Sequence, residues 1–323
     1  MTRATSFQTT QIGVEVTPGT AVSANRTLVA TNFSPGSKVN INTFKPKGTK
    51  FPTLAILGKE WVEVKIDGTL TYDEIVYLLS SVITGVTPTG TGASKTWVFL
   101  PNSNGPDNPK TFTVEQGSGS LAHRFTHGLV TALSLDFSRS EIAMDGSMLG
   151  KALNESVTMS AGATSLEGRV VSPTHVSYYI ADTYSGLATA QPLDVVRVSW
   201  AIQDRFNPIW VLNREKPSFS TFVESDPKIE MKVKMEASGV GLNLYQTMRN
   251  GDTRFMRIEA IGAEIDTGVN EKLVIDTAVK VSDVSDFSDE DGLFAIEWTF
   301  TGVHDPIWGK ATEITVVNKV SAL

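Results

Sequence analysis

The chain has 323 residues, 41% of them hydrophobic and 20% charged, which are proportions of a folded protein and argue against disorder. No apolar run approaches the ~18 residues needed to span a membrane, the opening MTRATSFQTTQIG lacks the apolar core of a signal peptide, and the absence of cysteine excludes disulfide and thiolate chemistry. The net charge of -7 is unevenly spread: residues 1–59 hold seven basic side chains (Arg3, Arg26, Lys38, Lys45, Lys47, Lys50, Lys59) against Glu15 alone, whereas Ser282–Gly292 holds five acids and no base. A high-affinity nucleic-acid binder would carry a denser basic face than this.

In chain order, most segments read as β. VEVKIDGTL, from Val62, alternates apolar Val62, Val64 and Ile66 with Glu63, Lys65 and Asp67. After Thr71 the period changes, and Ile75, Leu78 and Leu79 predict a short amphipathic helix within Tyr72–Val82. KTWVFLP, KTFTVEQG and LVTALSLDFS read as strands, then THVSYYIAD, DVVRVSWAI, KIEMKVKMEA, RFMRIEAIG, KLVIDTAVKVS and LFAIEWTFTG. In the last, Phe294, Ile296, Trp298 and Phe300 share one face. TPTGTGAS and PNSNGPDNPK separate strands as turns. The fold class is all-β with minor helix, built as sandwich or barrel units.

One unit is written twice. MKVKMEASGVGLNLYQTM, from Met231, repeats the strand-then-helix design of Val62–Val82, with Val62 on Met231, Lys65 on Lys234, Asp67 on Glu236 and Ile75 on Leu244. Later, Val114 and Glu115 fall on Ile258 and Glu259, and two long strands close each half. The expected division is an N-terminal arm over 1–30, a first unit over 31–160 and a second over 161–323. Ser/Gly-rich LNESVTMSAGATSLEGRVVSP marks the junction.

Signatures of catalysis fail in turn. GTGASK at Gly90 lacks the third glycine of a dinucleotide loop and the Gly-Lys-Ser/Thr of a phosphate loop. His123 and His127 are four apart, which on a regular strand puts them on one face, but two histidines make a weak metal site. A calcium loop with Gly292 at its sixth position would begin at Phe287 and end at Trp298, neither able to ligate. The acidic run therefore reads as a charged turn between strands. No enzyme, metal or cofactor is expected.

The segment GVEVTPGTAVSANRTL, through Gly13, Val14, Glu15, Pro18, Gly19 and Thr20, resembles the start of siphophage major tail tube proteins. TFTVEQG, HGLVTALSLDFSRSEIAMDGSMLGK and PTHVSYYIAD are similar to that family as well, and the resemblance covers nearly the whole chain. It implies tube domains of β-sandwich type with a short flanking helix, six to a ring, each giving roughly four strands to an inner barrel. The repeat resembles the long, duplicated form, in which three chains make a pseudo-sixfold ring; a hexamer of chains is the alternative. Rings would stack head to tail into the hollow tail of the virion, assembled in the host cytoplasm. The implied partners are the chain itself, a tape-measure protein, a tail terminator and tail-tip proteins. Double-stranded DNA would pass through without specific binding, and no membrane is involved.

Two expectations about residues follow. With the apolar faces packed inward, Glu63, Lys65, Asp67, Lys232, Lys234 and Glu236 would line the channel or a subunit seam, their mixed charge avoiding strong attraction to phosphate. Between rings, Lys45, Lys47 and Lys50, in the projecting loop KVNINTFKPKGTKFP, would meet Asp283, Asp286, Asp289, Glu290 and Asp291. A different class of function, a carbohydrate-binding or adhesive β-sandwich on a virion or cell surface, would instead expose clustered aromatics, with Trp210 and Trp308 as candidates.

Overall fold

A computed structural model describes residues 8–118, 121–237 and 239–323. The first seven residues of the expected arm, Arg3 among them, lie outside these. The chain begins with β1 (Thr9–Val14) and β2 (Arg26–Leu28), followed by a long hairpin of β3 (Thr31–Phe44) and β4 (Leu54–Thr69). Helix α1 (Ile75–Val82) leads to β5 (Lys95–Phe99), β6 (Phe112–Ser118), β7 (Leu121–Ser138) and β8 (Ile142–Gly150). Short strands β9 (Asn154–Val157) and β10 (Thr164–Ser165) occupy the expected junction. The second half holds β11 (Val176–Ala181), β12 (Arg197–Gln203), β13 (Phe206–Ile209), β14 (Thr221–Glu224) and β15 (Lys228–Glu236). After α2 (Gly239–Asn250) come β16 (Arg254–Asp266), β17 (Val269–Val284), β18 (Ser288–Glu290), β19 (Leu293–Gly302) and β20 (Thr312–Asn318). All strands except the β13–β14 hairpin join one 18-stranded hydrogen-bonded system, so the molecule is mostly β with minor helix.

Alternation sets which side chains the strands bury. Val62, Val64 and Ile66 on β4, and Met231, Val233 and Met235 on β15, enter the core, and the intervening Glu63, Lys65, Lys232 and Glu236 are exposed. On β19, Ile296, Trp298 and Phe300 are fully buried, while Phe294, of the same parity, extends past the core into solvent. Helix α1 departs from the amphipathic expectation, because all eight of its residues are buried. The segment that leads into β6 lies against it, where Lys110 N–H donates to Ser80 O at 2.9 Å. The segment Lys38–Pro52, expected as a loop, is strand as far as Phe44, and its second part, Lys45–Pro52, forms the projecting tip between β3 and β4.

Each half pairs its strands by the same scheme, antiparallel throughout. In the first, β1–β6, β6–β7, β7–β8, β8–β4 and β4–β3 pair in sequence. In the second, β11–β16, β16–β17, β17–β19, β19–β15 and β15–β12 do so. The registers correspond too: Val62 lies between Ser37 and Gly150, and Met231 between Trp200 and Phe300. The two runs meet where β7 pairs with β12, with Leu135 opposite Trp200. Strands therefore follow one another as β3–β4–β8–β7–β12–β15–β19–β17 without a break, four from each half. One hydrophobic cluster crosses the expected boundary at residue 160 and includes Leu135 and Ile66 as well as Trp200 and Trp298. Strand β5, from the first half, pairs with β20 at the chain's end, and Trp97 Nε1 donates to Asn318 Oδ1 at 3.1 Å.

Candidate interaction surface

The continuous run of strands has one apolar face against the core and one polar face. Glu63, Lys65 and Asp67 on β4 and Lys232, Lys234 and Glu236 on β15 all lie on the polar face, so the structure brings the six candidates onto a single surface. Cations there sit beside carboxylates: Lys65 with Asp145 at 3.9 Å and Asp67 at 4.0 Å, Lys38 with Glu63 at 3.7 Å, and Lys232 with Glu230 at 3.4 Å. Lys234 pairs with Glu290 across strands. At the join between halves Arg197 Nε donates to Asp136 Oδ1 at 2.7 Å, and that bond holds the Arg197 pKa above its ordinary value. Exposed pairs of this kind add little stability, but they neutralise the surface locally.

Two strand edges bound this run. Among the described residues β3 pairs only with β4, and β18, together with Lys280–Val284 of β17, only with β19. Their outward backbone groups are the sort that recruit another strand. Apolar side chains accompany both edges: Val39, Ile41 and Phe44 are exposed on β3, and Phe287 and Phe294 meet edge to face at 6.4 Å beside β18.

The remaining expected residues fall at opposite ends of the run. Lys45, Lys47 and Lys50 are exposed at the β3–β4 tip. Asp283, Asp286, Asp289, Glu290 and Asp291 lie along the far edge, so one chain does not bring the two groups together. The acidic segment, expected as a turn, contains the end of β17 and strand β18, and only Asp291-Gly292 forms the hairpin turn. Asp291 and Gly292 take positive φ (52° and 86°), and Asp289 Oδ1 accepts from Gly292 N–H at 3.2 Å.

The Gly13–Thr20 motif has a structural explanation. Buried Glu15 accepts from Gly19 N–H at 2.6 Å, Thr111 Oγ1 at 2.8 Å, Thr113 Oγ1 at 3.0 Å and His127 N–H at 2.8 Å. Gly19, at φ +80°, lies so close to Lys151 that a Cβ would stand 2.3 Å from Nζ. Gly13 is held as closely, its Cβ position 2.7 Å from Ser23 O. The motif fastens the arm to β6 and β7.

The two histidines weighed as a metal pair are separated by the fold. His123 is exposed and His127 buried, contrary to the shared face expected of a regular strand, because β7 is irregular between them and His127 itself takes φ 57°. The His127 ring packs edge to face on Phe219 and Phe222 and finds no hydrogen-bond partner among the described residues. Burial, with Lys151 nearby, pushes its pKa down to about 4. Among the described residues no group of three or more His, Cys, Asp or Glu could hold a metal ion, and no helix is long and apolar enough to cross a membrane. A depression of about 790 Å³ opens on the polar face between β4, β8 and β13, lined by Lys38, Glu63, Lys65 and Asn207. Trp308 stacks on Tyr184 at 4.5 Å, and Trp210 meets Trp61 at 5.7 Å, so each belongs to an aromatic cluster.

Two buried ionic networks have no signature in the sequence. Arg205, from the β12–β13 link, donates to Val82 O and Ile83 O at the end of α1 and pairs with Asp107 and Glu224. Arg169 joins Asp73 at 2.6 Å to Glu271 at 3.0 Å, and burial raises both carboxyl pKa values against the pull of Arg169. Each network ties residues far apart in the chain, which spacing alone cannot reveal. No protein-family model matches the chain, and no curated protein matches it either.

Proposed function

We propose that the chain is the tube-forming subunit of a siphophage tail, a structural protein with two tandem tube domains that polymerises into stacked rings around a channel for DNA. The observation that carries this reading is the continuous sheet: four strands from each half, one polar face and, among the described residues, a free edge along β3 at one end and along β18 with Lys280–Val284 at the other. Edges of this kind are removed by closing a barrel across neighbouring copies. Three chains, each filling two of six places, would complete the ring, which accounts for the repeated unit.

On this reading Glu63, Lys65, Asp67, Lys232, Lys234 and Glu236 face the channel. Phosphate affinity grows with each unpaired lysine or arginine, and lysines already beside carboxylates let DNA slide. Stacking of rings is a heterologous contact that grows without closing. The lysine tip and the acidic edge, kept apart within one chain, are then free to meet between chains. Negative-stain microscopy of the purified protein tests the proposal: rings or hollow tubes support it, and a persistent monomer at high concentration overturns it. The mass of an isolated ring distinguishes three chains from six.

A further inference from the structure

The internal join between β7 and β12 has an unoccupied counterpart. Ser37 on β3 holds the place that Trp200 holds on β12, since they lie opposite Val62 and Met231 in matching registers. At the other end, Leu133 of β7 lies opposite Gly146 of β8. The matching β4–β8 and β15–β19 registers put Ile296 in the place of Gly146. Ser288 lies opposite Ala295, so the next rung sets Phe287 against Ile296, in the place of Leu133. The join itself pairs Leu133 with Ile202 and Ser134 with Ala201. Carried onto the free edges, it sets Phe287 opposite Val39 and Ser288 opposite Lys38.

Exposure agrees with this placement. Leu133 and Ile202 are 1% and 0% exposed where the join covers them, whereas Phe287 and Val39 are 54% and 42% exposed at the free edges. On the polar face Lys38 would fall between Asp286 and Glu290, which lie on either side of Ser288. Other rungs change character. The buried pairs Leu135–Trp200 and Phe137–Val198 are replaced by Asp289–Ser37 and Asp291–Pro35. Over Pro35–Asn40 and Asp286–Asp291 the free edges thus combine one apolar rung, Phe287 with Val39, with rungs that each carry a polar side chain.

We infer that Asp286–Asp291 of one copy pairs antiparallel with Pro35–Asn40 of a second copy, with Ser288 opposite Lys38 and Phe287 packed on Val39. This deepens the assembly reading and rests on it for the partner, another copy of the chain.

The chain has no cysteine, so introduced thiols report without background. Directly opposed residues on antiparallel strands bring their Cα atoms to about 4.5–5.5 Å, within disulfide range. Mixing Lys38→Cys protein with Ser288→Cys protein under mild oxidation is expected to give a covalent dimer on a non-reducing gel. Ser134→Cys with Ala201→Cys, the matching pair inside one chain, is the positive control and closes without a change of mass. Asn40→Cys mixed with Ser288→Cys, two rungs out of register, is expected to react about tenfold more slowly, since opposed Cβ atoms must approach closely. Rings that form without the Lys38–Ser288 disulfide overturn the register and leave the assembly reading standing. Neither rings nor disulfide overturns both. Disulfide without rings keeps the pairing and overturns the tube.

Discussion

Arg205 and Asp107 pair at 2.6 Å with side chains 0% and 2% exposed, although 98 residues separate them. The same guanidinium reaches Glu224 and the last carbonyls of α1, so the second half holds the end of the first half's helix.

Arg205→Met should therefore destabilise strongly. Removing one member of a buried ionic cluster costs about 3–5 kcal/mol, because its partner stays buried without compensation. Urea denaturation should show this loss, and adding Asp107→Asn to the variant should recover part of it. If Arg205→Met leaves the midpoint unchanged, the cluster does not hold the halves together.

His127 predicts an acid sensitivity. Its pKa of about 4 lies below the ordinary 6.5, because burial first, and then Lys151, disfavour the charged form. The unfolded chain thus binds more protons between these values, and this group's contribution is present at neutral pH and lost as pH falls from 6.5 towards 4. The loss should reach about 2–3 kcal/mol. Denaturation at pH 7 and pH 4.5, compared with His127→Phe, measures it, and the variant should show the smaller drop.

Glu15→Gln should loosen the N-terminal arm. Its carboxylate accepts from two backbone N–H groups and two threonine hydroxyls, and an amide can satisfy only some of these. The expected cost is about 1.5–3 kcal/mol, typical of a charge-assisted bond. Hydrogen exchange at Gly19 and His127 should quicken before that of Trp298.

Reversing Lys45, Lys47 and Lys50 to glutamate should leave the fold intact, since all three are exposed at the β3–β4 tip, and should slow tube growth by like-charge repulsion. Light scattering at low salt follows the rate. Normal growth would place the inter-ring contact elsewhere.

The strand-helix unit was legible because alternation and helical spacing are local signals: a strand followed by a helix forms at both places, although α1 is buried on every side and not amphipathic as its spacing suggested. The acidic run was legible only in part: its charges read as one turn, whereas pairing with β19 makes Ser288–Glu290 a strand and leaves Asp291-Gly292 as the turn. The β7–β12 join was not, because Leu135 and Trp200 are separated by a long stretch of intervening chain and neither carries a pairing code. The His127 irregularity escaped the spacing rule, since one unusual φ inside β7 re-aims a side chain that strict alternation would have placed beside His123. Arg205 escaped for a third reason. Its partners come from a loop, a hairpin and a helix end, assembled only by the tertiary fold.

β5 lends its hydrogen bonds to β20, so the first half of the chain supplies a piece of the second half's sheet. Cutting the polypeptide near residue 160 would leave one fragment holding a stray ribbon and the other missing its border. The two halves are thus interlocked, and separated fragments are expected to need each other to complete that border.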